Sequence, residues 1–182
     1  MRVLTFSHHF PAGHPKVGQP TGFVEKVLLG LLHSEEITTG RCIELARQVF
    51  DKDHPLCSYN AIRAYVCNPL KFHTIRAGSR WKPGDMASLR VWSGLLRRSK
   101  QIEFAQVEIK RVWEIEVSEF WFVNGHILEY DQVVELAKND GLEYSDFVEW
   151  FKIHPKQKDY VFKGQVISWS SEINYTPLIE KV

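Results

Sequence analysis

Apolar positions along this chain repeat with two different periods. Phe23, Val24, Val27, Leu28, Leu31 and Leu32 recur at steps of three and four, which places them on one side of a helix. The pattern predicts a helix over Gly22–His33, with Thr21 as N-cap and Glu25 in the electropositive first turn. Ile43, Ala46, Arg47 and Phe50 share a face in the same way and predict a second helix over Arg41–Phe50. After Thr74 the period falls to two. Phe104–Ile109 alternates, and Val112, Glu114 and Glu116 oppose Trp113, Ile115 and Val117. With Val3–Phe6, Ala87–Trp92, Glu119–Val123 and Lys163–Trp169, these segments read as strands. Asn124-Gly125 is a hairpin turn, because both residues tolerate positive φ. Two helices follow. One runs from Asp131, as N-cap, to Lys138 and is broken by Asn139-Asp140-Gly141, with Gly141 suited to the C′ position. The other starts at Ser145 and turns Phe147, Val148 and Phe151 inward. Residues 10–20 carry three Pro and two Gly and form a loop, while residues 51–69 show no clear period.

Strands interleaved with helices in this order predict an α+β fold whose antiparallel strands curl or close into a small barrel. The length, 182 residues, suits a single domain, 1–182, with 1–68 an N-terminal strand plus helical extension. Composition adds that the chain is globular, since 44% of its residues are hydrophobic and 25% charged. No apolar run reaches the ~18 residues of a membrane span, and no apolar leader follows Met1, so a cytoplasmic protein without membrane contact is expected. Cys42, Cys57 and Cys67 form no CxxC pair and read as reduced thiols. His8, His9, His14 and His33 lack the spacing of a helical zinc site, and no phosphate-binding glycine motif is present. No metal and no cofactor are expected.

Charge changes the picture more. Residues 71–111 hold ten Lys/Arg and three Asp/Glu, a net of +7, whereas residues 112–151 hold one Lys and ten Asp/Glu, a net of −9. Such segregation implies either two faces that attract each other across the fold or a basic binding surface. The run Arg90-Val-Trp92-Ser-Gly-Leu-Leu-Arg97-Arg98-Ser-Lys100 has the makings of a nucleic-acid-facing loop. Arginines clasp phosphates in pairs of hydrogen bonds, and Trp92 offers a stacking surface. Arg76, Arg80 and Lys82 extend the same candidate surface.

Lys71-Phe-His-Thr74-Ile-Arg76 is the most pointed segment. On one continuous strand Lys71 and Thr74 would face opposite ways, so a shared site requires a break between them. This segment, with Trp81-x-x-Gly-Asp85 and Leu89-Arg-Val-Trp92, resembles the ASCH domain family, which has a PUA-like barrel fold. The resemblance covers residues 69–169. The family motif is roughly Gly-x-Lys-x-x-Glu-x-Arg; here Pro69 replaces the Gly and Thr74 the Glu. The Lys-x-x-Thr variant is similar to small bacterial ASCH enzymes that hydrolyse N4-acetylcytidine with a Lys, a Thr and a Glu on a later helix. The matching acid here is Asp140, one methylene shorter.

The resemblance implies two functions. One is an RNA- or nucleoside-binding module using the basic cleft. The other is an amidohydrolase on an N-acylated nucleoside, with Thr74 as nucleophile, Lys71 as base and Asp140 donating to the leaving amine or orienting the substrate. A threonine needs such a base, and a lysine serves only if burial and neighbouring cations, here Arg76 and Arg80, lower its pKa. His73 stands beside the pair as a residue that could tune it.

Overall fold

The computed structural model describes residues 1–65, 69–94, 98–152 and 161–176. In chain order these form β1 (Arg2–Phe6), α1 (Phe23–His33), α2 (Thr39–Ala46), α3 (Tyr59–Ile62), β2 (His73–Ala77), β3 (Met86–Trp92) and β4 (Gln101–Glu108). Then come β5 (Arg111–Val117), β6 (Trp121–Val123), β7 (His126–Ile127), α4 (Tyr130–Asn139), α5 (Tyr144–Lys152) and β8 (Phe162–Ser168). The fold is α+β. Among the described residues no helix is long and apolar enough to cross a membrane.

Among the described residues the strands form two sheets, in the orders β1-β3-β4 and β2-β8-β5-β6-β7, and do not close into a barrel. This corrects the expected closure. The chain changes sheets at Ile109-Lys110, where Lys110 N donates to Ser168 O at 2.8 Å. A barrel would also need a ladder between the outer strands β1 and β2. There, Arg76 reaches across instead, its Nη2 donating to Thr5 O at 2.8 Å. A side chain thus bridges the place where backbone pairing would close the ring.

Local differences from the sequence reading have simple causes. Gly22, at φ 65°, is the N-cap of α1, and Thr21 stands one residue ahead of it, its hydroxyl accepting from Phe23 N at 3.3 Å and donating to Ser7 O at 2.6 Å. Thr38 accepts from Arg41 N and starts α2 earlier than Arg41, and the helix ends at Ala46, short of Phe50. α4 begins under Glu129, which forms a capping box with Gln132, rather than under Asp131. α5 begins at Tyr144, one residue before the expected cap. The Asn124-Gly125 turn has both residues at positive φ, 48° and 80°, and joins β6 to β7.

Phe6 is the hub of the aromatic interior. Its ring meets Phe23, Phe104 and Trp169 edge-on, at 6.4, 5.7 and 6.1 Å. α1 lies so close to the segment before β2 that a Cβ on Gly30 would stand 2.7 Å from Lys71 O. Gly30→Ala should therefore destabilise the fold by about 1–3 kcal/mol despite alanine's better helix propensity. A lower urea midpoint with an unchanged slope is the expected measurement.

Candidate functional site

Backbone geometry brings Lys71 and Asp140 together. Lys71 N donates to Lys26 O at 3.1 Å, and Phe72 N donates to Asn139 O at 2.9 Å. Lys71 and Asp140 form an isolated antiparallel bridge, and β2 begins only at His73. The break between Lys71 and Thr74 thus exists. Asp140 is the C-cap of α4, and Gly141 follows at φ 78°, a conformation that favours glycine. A Cβ on Gly141 would also press on Lys71 Cβ at 3.0 Å. Helix termination by glycine therefore places the acid against the lysine.

Lys71 is 1% exposed, His73 0%, Thr74 2% and Asp140 7%, so four polar side chains share the interior. Lys71 Nζ stands 2.8 Å from Asp140 Oδ1 and also donates to the Asp140 carbonyl. Two aromatic rings also lie near it, Phe23 at 4.3 Å and Phe6 at 5.9 Å. His73 Nδ1 faces the same Oδ1 at 3.4 Å. Neither Oδ1 nor Nδ1 completes a hydrogen bond of good geometry, which leaves two buried polar atoms under-satisfied. Behind them, the Tyr175 hydroxyl lies 2.8 Å from His73 Nε2 and accepts from Asn139 Nδ2 at 3.1 Å.

The electrostatics follow from burial and pairing. Burial lowers the Lys71 pKa to about 8; Asp140 opposes the shift, while Arg76 and Lys26 add to it. Burial pushes the Asp140 carboxyl up, but Lys71 and His73 together outweigh it and hold the group below its ordinary value. Burial lowers His73, against the pull of Asp140, so its imidazole is held neutral. Of the two cations expected beside Lys71, Arg76 acts on it directly, and Arg80 acts on Arg76 instead. The Thr74 hydroxyl makes no side-chain hydrogen bond among the described residues. Burial pushes the Cys42 thiol up to about 11, which removes it as a nucleophile near neutral pH.

The candidate nucleic-acid residues among those described differ in exposure and in partners. Arg76 turns inward, to Thr5 O and over the Phe6 ring at 5.5 Å. Arg80 is exposed beside the Trp81 ring, and Lys82 is exposed on the following turn. Arg90 is held by Ser88 and Glu103, and Trp92 is half-buried. Arg98 and Lys100 are exposed; Arg97 and Cys67 lie outside the described residues. Much of the +7 segment is therefore engaged with the protein itself, and Lys71–Asp140 ties it to the −9 segment. Among the described residues no group of three or more His, Cys, Asp or Glu is placed to hold a metal ion.

Sequence reasoning passed over Tyr175 and Asn139. Tyr175 follows the last strand in a segment without periodicity, and Asn139 reads as a helix-breaking residue; no local pattern signals that either turns inward. A scan against family models returns no match, and neither the curated proteins nor the solved structures return one.

The pair predicts an acid limb of stability. The folded Asp140 pKa lies below its unfolded value, so its contribution is present at neutral pH and is lost as pH falls through the folded value. Asp140→Asn should lower stability at neutral pH and flatten the fall between about pH 5 and pH 1, read from urea midpoints. Lys71 works in a different window. Between about 8 and the ordinary lysine value the unfolded chain binds more protons, so its contribution makes stability rise with pH.

Proposed function

We propose that this is an ASCH-type protein that recognises a nucleoside, free or within RNA, at the buried Lys71–Asp140 pair, with Thr74 on the adjoining strand β2. One observation carries the reading: the Lys71–Asp140 ion pair, at 2.8 Å and almost wholly buried, at the positions matching the lysine and acid of the resembling enzymes. Buried ion pairs are poor stabilisers compared with apolar packing, so their retention invites a functional explanation. Lys71 Nζ and His73 Nδ1 both face Asp140 Oδ1, so the carboxylate's other oxygen is the acceptor left for a base edge. The Asp140 side chain, 11% exposed, is the member of the pair through which a ligand meets the site. Exposed Arg98 and Lys100 serve the phosphates when the nucleoside belongs to RNA.

Amide hydrolysis at the same site is the second reading, and the lowered Lys71 pKa of about 8 favours it. A lysine poised there takes the proton of Thr74 as its Oγ attacks the acyl carbonyl of an N-acylated cytidine. The C–N bond then breaks, Lys71 returns the proton to the leaving amine, and water hydrolyses the threonyl ester. Asp140 stays ionised through these steps and orients Lys71 and the base, which favours the orienting role over the proton-donating one.

The test is a titration of the labelled protein with cytidine, N4-acetylcytidine and a short single-stranded RNA, with acetate release measured in parallel. Nucleoside recognition predicts signal changes centred on Lys71, His73, Thr74 and Asp140. Hydrolysis predicts acetate release that Thr74→Val abolishes and Asp140→Glu retains. Changes confined to Arg98 and Lys100 with RNA alone would defeat the nucleoside site and leave a surface RNA binder.

A further inference from the structure

Tyr175 reaches the cluster from the segment after β8, and its hydroxyl has only one proton to give. Asn139 Nδ2 donates to that hydroxyl, which leaves the hydroxyl proton free for His73 Nε2 at 2.8 Å. The opposite arrangement, with the proton on Nε2, would crowd two donors onto one hydroxyl and strand the hydroxyl's own proton. It would also turn the bare lone pair of Nδ1 toward the carboxylate oxygen 3.4 Å away. Donor, hydroxyl, ring and carboxylate all agree on one tautomer.

We infer that Tyr175, held by Asn139, is a positioning residue that fixes His73 as the Nδ1–H tautomer and so aims a neutral donor at Asp140. The inference deepens the proposed function and rests on it for its consequence, but the tautomer itself is a property of the ligand-free protein. With Nδ1–H and Lys71 Nζ both directed at Oδ1, the carboxylate is restrained from two sides and presents its other oxygen to a ligand. The device is a chain of side chains, Asn139 to Tyr175 to His73 to Asp140, in which tautomer choice at the ring sets the carboxylate's orientation. Its members come from the end of α4, the segment after β8 and the start of β2. Correct site geometry therefore requires the C-terminal segment to be docked.

The chain is tested with histidine labelled at its ring nitrogens, using long-range proton–nitrogen correlation spectra near neutral pH. His73→Gln identifies the ring's signals. The parent protein should show a protonated Nδ1 and a bare Nε2 at His73. Tyr175→Phe, which keeps the ring and loses the hydroxyl, should move a measurable share of the proton to Nε2. It should also weaken nucleoside binding or turnover by roughly 10- to 100-fold, the range for an outer-layer partner. A bare Nδ1 in the parent would overturn the inference, and so would an unchanged tautomer in Tyr175→Phe. If Tyr175→Phe does not fold, the parent spectrum alone decides. A parent with the expected tautomer that binds no nucleoside would instead contradict the proposed function and leave the positioning role intact.

Discussion

The polar cluster at the junction of α1, α4 and β2 depends on one ion pair, Lys71 with Asp140. Each charge is removed from water, and each is tolerable only because the other is present. Their meeting is fixed by backbone, not by side-chain reach. The end of α4 and the lead into β2 form an isolated bridge, α1 accepts the Lys71 amide, and Gly141 turns the helix end so that the carboxylate faces the lysine. Gly30 lets α1 approach closely enough to complete that frame. The helical layer and the five-stranded sheet are thus joined around the charges.

The same arrangement gives the site its chemical character. Burial, with Arg76 and Lys26 adding to it, lowers the lysine's pKa although an acid lies beside it. The acid stays ionised because two donors converge on one of its oxygens. A lysine of lowered pKa beside an oriented carboxylate is the kind of perturbed pair that marks a candidate functional site. Segregated charge along the chain has its counterpart here. The basic segment begins with Lys71, the acidic segment contains Asp140, and a buried ion pair links the two.

How much of this was legible in the sequence varied with the range of the interaction. α1, β5 and the Asn124-Gly125 hairpin were legible because period and turn chemistry are local. The starts of α2 and α4 were displaced because Thr38 and Glu129 capped them, ahead of the expected positions. The approach of Asp140 to Lys71 came from the resemblance, since no spacing rule links residues 69 positions apart. Barrel closure was misjudged because it depends on the two edge strands β1 and β2, where Arg76 reaches across to Thr5 in place of a ladder. Arg76, expected among the cations of the basic cleft, is half-buried with its guanidinium on Thr5 O. Tyr175 was invisible because nothing in an aperiodic tail says which residue returns to the core.

The most direct measurement is a double-mutant cycle in urea with Lys71→Met, Asp140→Leu and the double variant. A pair that organises the interior predicts that each single change costs about 3–5 kcal/mol, because it strands the partner's buried charge. The double variant should recover much of that loss, giving a coupling of about 3 kcal/mol or more. A coupling below about 1 kcal/mol, the value of a solvated surface pair, would contradict the account.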